Sequence, residues 1–281
     1  MSNKIKTNIY EIVLLIILFL VFLTVVIPYI WTVSNAFRFN DEIGVFNNLG
    51  IYTFIPKRFT FTNFKRMFDQ LNMWRIILNT LLVAFSTTFI SLFINSITGY
   101  SLGQLDFIGK NFIFGLFISM MMFPIEVLII PLYLTMNDLN LNNSYFSLIL
   151  PFLATPFGIF FMRQFFCNQP KALGESAKID GASYFQIFVK IYFPLAKTPL
   201  LTLGLLTFMQ QWDSFIVPVT FINDESKLVL QVALTRLSAG LYMTDYGVLF
   251  AGVTLSILPI LIIYLIAQNN IQENIASAGI K

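Results

Sequence analysis

Glu126 and Asp213 are the residues best placed to do chemistry in this chain, because each is a carboxylate inside a long apolar stretch. A carboxylate there is hard to desolvate and usually faces a bundle interior or a wet cavity. Thr207, Gln210 and Asp213 or Ser214 recur at helical spacing, so they share one face of a helix. That face either lines a path for a hydroxyl-rich solute or hydrogen-bonds a neighbouring helix. Glu126 lies between Pro124 and Pro131, where a bend is expected, and either lines the same path or supports the bend.

Other chemistries are excluded by what the chain lacks. It has no histidine, which removes imidazole acid–base catalysis, Ser-His triads and His-ligated zinc or haem. Cys167 is the single cysteine, so no internal disulfide forms. There is no Gly-x-x-x-x-Gly-Lys phosphate loop, so any ATP hydrolysis must come from a partner. The missing nucleophile motif and paired aspartates argue against an intramembrane enzyme. The missing inverted repeat and midplane charge relay argue against a self-sufficient secondary transporter or channel. A net charge of +3 spread over short loops offers no surface for nucleic acid.

The elements that position these residues are membrane spans. Of the 281 residues, 57% are hydrophobic and 11% charged, against roughly 25% charged in soluble domains. Phe alone contributes 32 residues, as suits rings facing acyl chains. A membrane helix needs ~20 mostly apolar residues, and six windows qualify: about Ile12–Ile30, Ile76–Ile97, Phe112–Leu134, Tyr145–Phe166, Pro199–Phe221 and Gly247–Ala267. The first is too long for a cleaved signal and lacks a small-x-small site. Pro28, Trp31 and Arg38 mark its interfacial end. Within Arg38–Arg75, turn signals stand at Asn47-Asn48, Gly50 and Pro56, and Thr62–Leu71 reads as a short amphipathic helix on the membrane surface. The second window is rich in Ser and Thr and ends in a Gly99–Gly103 pair, a packing pattern. Basic residues divide almost evenly between the two sides, so charge bias does not orient the chain.

The connection between windows four and five has its own local code. Lys171–Asp180 has fair helix propensity after Pro170, which suits a first helical turn. Gly181 can take the left-handed conformation that ends a helix. Ser183 with Gln186 forms a capping-box pattern that starts a second helix, presenting Phe185, Phe188, Val189 and Tyr192 toward the bilayer or the bundle. Pro194 and Pro199 precede the fifth window.

This connection closely resembles the signature loop of permease subunits of ATP-binding-cassette importers. The family pattern is Glu-Ala-Ala, three residues, Gly, nine residues, Ile, any residue, Leu, Pro. Here it is Glu175-Ser176-Ala177, Gly181 and Ile191-Tyr192-Phe193-Pro194, with matching spacing and with Ser176 and Phe193 as departures. Asp180-Gly181-Ala182 resembles the carbohydrate branch of the family. So do Pro28–Trp31 with Ser34, Asn79-Thr80, Pro124, Pro131–Tyr133, Asn142, Tyr145 and Trp212–Phe215 with Pro218. Ala278–Lys281 is similar to a worn form of that branch's tail. The smaller permease of maltose-type importers is the nearest pattern.

The resemblance implies an all-α, polytopic membrane protein of the type I importer permease fold, with six transmembrane helices. Residues 1–71 would hold the first helix and an extracellular segment, 72–268 the permease core with a cytoplasmic coupling loop at about 168–198, and 269–281 a cytoplasmic tail. Both termini would be cytoplasmic, in a bacterial plasma membrane. The first loop helix would dock in a cleft of an ATPase subunit. Small Ser176, Ala177 and Gly181 would allow close approach, Glu175 and Asp180 would meet basic groups, and Ala182, Ile191 and Pro194 would complete the loop. The implied partners are two ATPase copies carrying ATP and Mg, a related larger permease, an extracellular binding protein, a sugar and membrane lipid. This chain itself would bind no cofactor or metal. Within the family, glycerol phosphate or peptides are alternative solutes.

Overall fold

Helix is the economical way for so apolar a chain to pair its own backbone groups in lipid. The computed structural model describes residues 2–43, 51–238 and 245–278, and among them every regular element is helical. In chain order these are α1 (Ser2–Ala36), α2 (Thr62–Gln70), α3 (Met73–Gln104), α4 (Lys110–Met120), α5 (Ile125–Asp138), α6 (Tyr145–Ile149) and α7 (Pro156–Cys167). Then come α8 (Lys171–Ile179), α9 (Tyr184–Ile187), a π-helical turn at Phe188–Tyr192, α10 (Phe193–Leu195), α11 (Lys197–Trp212), α12 (Ile216–Phe221), α13 (Leu230–Ser238) and α14 (Tyr246–Ala278). The turn signals at Asn47, Asn48 and Gly50, and the tail residues Gly279, Ile280 and Lys281, lie outside the described residues.

Among the described residues, four stretches are long and apolar enough to cross a membrane: Ile9–Ala36, Met73–Gln104, Tyr145–Cys167 and Tyr246–Ile266. Two bent pairs bring the number to six if each counts as one span. They are α4 with α5, bent by 105°, and Tyr184–Leu195 with α11, bent by 81°.

The structure corrects three window boundaries. The first helix does not end near Ile30 but runs through Pro28 to Ala36. The Thr32 hydroxyl donates to the Pro28 carbonyl at 2.9 Å and the Asn35 amide to that of Trp31 at 2.8 Å. The bend in the third window falls at Met121–Pro124, before Pro124 rather than between the two prolines. A residue preceding proline is pushed out of helical geometry, which ends α4, whereas Pro131 is carried inside α5. The fifth window is not continuous to Phe221. It stops at Trp212, and the helix resumes only at Ile216. Pro218 has no N–H to offer the carbonyl four residues back, and it is accommodated where a new first turn begins.

The chain divides into two compact units. The first joins Met1–Met73 to Leu234–Leu258. Here α2 forms as expected, with Asn63 and Met67 as its buried residues. The Asn63 amide donates to the carbonyls of Ala36 at 3.0 Å and Arg38 at 2.7 Å. Arg38 donates in turn to the Tyr52 and Thr53 carbonyls, both at 2.8 Å, and burial pushes its guanidinium pKa down. Asp245 pairs with Arg66 and accepts from Asn40 at 3.1 Å.

The second unit joins Trp74–Ala233 to Pro259–Lys281. Its core gathers Tyr100 of α3, Met162 and Phe166 of α7, Phe188 and Tyr192 of the π turn and Leu203 of α11. Gly99 sits where α3 crosses α7. A Cβ there would lie 2.8 Å from the Arg163 nitrogen and from the Met162 Cβ. The Gly99–Gly103 pair thus marks a close helix crossing. Gly99→Ala is expected to lower the thermal midpoint in detergent, since overpacking costs about 1–3 kcal/mol. Gly115→Ala, whose Cβ would meet nothing within 4 Å, is the control. Equal midpoints for the two variants would mean that α3 and α7 do not approach this closely.

Candidate functional site

The loop between α7 and α11 is built from local rules. α8 starts after Pro170 and ends in a full Schellman arrangement around Gly181, whose φ is +84°. The Gly181 N–H donates to the Lys178 carbonyl at 3.1 Å and the Ala182 N–H to that of Ala177 at 3.0 Å. Only two residues later the expected capping box forms. The Gln186 N–H donates to Ser183 Oγ at 3.3 Å, and the Ser183 N–H donates to Gln186 Oε1 at 2.8 Å. The helix then widens into the π turn just ahead of Pro194, which withholds a helical donor.

This leaves α8 largely uncovered. Glu175, Ser176, Asp180 and Gly181 are exposed, and nothing lies within 4 Å of a Cβ built at Gly181. Ala177 instead turns inward and packs, with Ala182 and Ile191, against the core cluster, while Pro194 is exposed. Ile179 is 87% exposed and Leu173 is also open to solvent, two apolar groups that the motif does not single out. The four apolar residues expected on the second helix are split. Phe188 and Tyr192 are buried, whereas Phe185 and Val189 are exposed. Beside α8, Asp106 accepts from Lys171 at 3.0 Å and from Lys110 at 3.4 Å, and these ammonium groups hold its carboxyl below the usual carboxylate range.

The carboxylate face looks different from its expected form. Thr207 is buried within α11, but Gln210 and Asp213 are exposed, so the spaced residues do not act as one uniform face. Asp213 caps the end of α11 at the helix break, and its carboxylate accepts from the Gln231 amide at 3.2 Å. Ser214 lines a small hollow with Thr80, Gln211 and Val229, among others. Glu126 is exposed in the first turn of α5, where the helix dipole favours a negative charge.

Around that break stands a hydrogen-bond clasp, in which Asn79, Thr80 and Tyr145 carry the family resemblance while Asn143 belongs to no motif. Asn79 of α3 donates to the carbonyls of Ser226 at 3.0 Å and Leu228 at 2.9 Å, and accepts from the Tyr145 hydroxyl at 2.7 Å. Thr80 Oγ1 accepts from the Leu230 N–H at 2.9 Å. Asn143 Oδ1 accepts from the N–H groups of Asn223 at 3.1 Å and Asp224 at 2.9 Å, and the Asn143 carbonyl accepts from Lys227 Nζ at 2.8 Å. The signal in the sequence is polar side chains at the mouth of apolar windows. Among the described residues there is no cluster of three His, Cys, Asp or Glu fit to hold a metal.

Apolar helices of membrane-spanning length, two of the spans broken, make this an all-α polytopic membrane protein. The chain belongs to the family of binding-protein-dependent transport system inner membrane components, whose pattern matches residues 95–276. It is 33% identical to the arabinooligosaccharides transport system permease protein AraQ of Bacillus subtilis, over 80% of each chain. It is 27% identical to the diacetylchitobiose uptake system permease protein NgcG of Streptomyces coelicolor, over 90% of this chain and 83% of that one. It also overlays a chain of a bacterial ABC transporter involved in import of the acidic polysaccharide alginate, with a TM-score of 0.84 and 25% identity over 94% of this chain and 97% of the other. The protein is therefore a multi-pass membrane permease subunit of an ATP-binding-cassette importer, with the type I fold. Such subunits work with ATPase and binding-protein partners.

Gly181 gives a direct test of the loop geometry. Its left-handed φ costs an alanine about 1–2 kcal/mol. Gly181→Ala is therefore expected to speed backbone hydrogen exchange across residues 178–182 roughly tenfold while leaving α3 unchanged. Unchanged exchange in the loop would contradict the positive φ.

Proposed function

We propose that this chain imports a sugar or oligosaccharide handed over by an extracellular binding protein, and that α8 is the helix on which an ATPase subunit docks. The observation that carries this reading is α8 itself. It is fixed at both ends by its own hydrogen bonds, yet it shows Leu173, Glu175, Ser176 and Ile179 to solvent. Exposed apolar groups beside charges are what a partner surface covers. The α8 loop is then cytoplasmic, which puts both termini inside. The working complex holds two ATPase copies, which carry ATP and Mg, and a second, larger permease. This chain contributes no cofactor of its own. ATP binding closes the ATPases and favours one state of the cavity, and hydrolysis restores the other, so the solute site faces the two sides in turn. The carbohydrate cargo is supported by the named cargoes of the relatives and by the polar groups at the α11 break, where Gln210 and Asp213 are exposed.

Affinity purification from the native membrane in mild detergent tests the assembly. Two ATPase copies and one different permease are expected, lost on Gly181→Trp while membrane insertion persists. A chain that purifies alone overturns the reading. Uptake of labelled arabino-oligosaccharides or diacetylchitobiose by cells bearing the complex tests the cargo. Uptake of glycerol phosphate or peptides instead would replace the carbohydrate assignment.

Asp213 has its own test. Asp213→Asn keeps an oxygen that accepts from Gln231, so transport should persist, while Asp213→Leu should lower it. Loss of transport in the Asn variant would show that the negative charge itself is needed.

A further inference from the structure

Gln104 is the last residue of α3, and its amide is bonded at both ends. Nε2 donates to the carbonyl of Gln169 at 3.1 Å and to that of Phe166. Oε1 accepts from the Tyr192 hydroxyl at 3.1 Å. Phe166 and Gln169 stand at the C-terminal end of α7, where carbonyls lack helical donors. One side chain thus ties the end of α3 to the end of α7.

Tyr192 extends this tie to α8. Its oxygen lies 3.2 Å from the Pro170 carbonyl, immediately before α8 begins. A phenol has a single proton, so the Gln104 and Pro170 oxygens share or exchange it. Tyr192 is 1% exposed, its ring packed against Tyr100 and Phe166. A hydrogen bond in such surroundings is stronger than one in water. The nearby Asp106–Lys171 pair is exposed and therefore a weak tie. At the far end of α8, Lys178 Nζ donates to the Tyr184 hydroxyl and Ala177 and Ala182 pack against the core, while Ile179 and Gly181 stand open. α8 is thus held at both ends, at its start through the buried Tyr192 and at its end by its own backbone bonds and an exposed contact to α9.

We propose that Gln104 and Tyr192 are positioning residues that form the joint through which displacement of α8 passes into α3 and α7. This rests on the reading of α8 as the ATPase-docking helix. When α8 is displaced, the Tyr192 proton can pass between its two acceptors, so one bond survives the shift and the motion is carried rather than absorbed.

Cys167 is a native reporter for the test. It is this chain's sole cysteine, exposed at the end of α7, with its sulfur 3.9 Å from the Gly103 carbonyl. The rate of its alkylation by N-ethylmaleimide is measured by mass spectrometry in the purified complex, without nucleotide and trapped with MgATP and vanadate. The wild type is expected to show two different rates. In Tyr192→Phe and in Gln104→Met that difference should shrink about fivefold, the shift that one net hydrogen bond carries, while subunit content and ATP hydrolysis stay near wild type. The double variant should be no worse than either single one, because both break one link. The proposal is overturned if the difference survives in both variants. It is equally overturned if the difference falls only in step with ATPase activity or subunit loss, or if the wild-type rate ignores nucleotide. A wild-type chain that retains no ATP-hydrolysing subunit would instead remove the docking reading beneath it.

Discussion

An N–H or carbonyl left unpaired in hydrocarbon costs several kcal/mol, and several helix ends in the second unit are answered by a specific replacement partner. Where the α3 and α7 ends leave carbonyls open, Gln104, Arg163 and Lys110 supply donors. Where the chain leaves helix after α12, Asn143, Asn79 and Thr80 pair with its backbone. The loop around Gly181 needs no outside help, because the Schellman bonds and the capping box satisfy it from within. The side chains that pair with broken backbone thus stand where the helical ladder stops, whereas Thr87, Thr88, Ser91 and Ser96 are buried within continuous α3.

That distribution explains what could be read from the residues and what could not. The spans were legible because apolar runs of bilayer length have few other uses. α8 and its neighbour were legible because a left-handed Gly and a capping box act over a few residues, without tertiary help. A bend in the third span was legible too, but not its exact place, nor the break in the fifth. Pro124 and Pro218 each mark an interruption, yet Pro28 and Pro131 lie inside continuous helices. A proline removes one donor wherever it occurs, and its surroundings decide whether the helix bends there. Thr207 and Gln210 share their spacing within α11, yet Thr207 is buried and Gln210 exposed, because the neighbours around the helix, and not spacing alone, decide which positions are covered.

The π turn gives a second example. The apolar residues Phe185, Phe188, Val189 and Tyr192 have the spacing of one amphipathic stripe, but the helix widens between them. Phe188 and Tyr192 enter the core while Phe185 and Val189 are left outside. The widening brings the Tyr192 hydroxyl to both Gln104 and Pro170. A wide turn at a proline is thus put to use, with a buried phenol aimed at two carbonyl oxygens.

α3 is the member common to both ends of the second unit. Near its beginning Asn79 and Thr80 hold the segment that follows α12, and at its end Gln104 holds α7 and, through Tyr192, the approach to α8. The helix between them contains no proline, and at 32 residues it is about 48 Å long by the standard rise per residue. Such a rod bends little, so a shift imposed at one end reaches the other as a shift rather than as local melting. At Gly99 and Gly103 the rod lies close against α7, where adding side-chain bulk would force the helices apart. Close packing resists gradual deformation and favours discrete arrangements. A transporter that must present its cargo first to one side and then to the other needs that property, and here it follows from two glycines, an unbroken helix and one amide at its end.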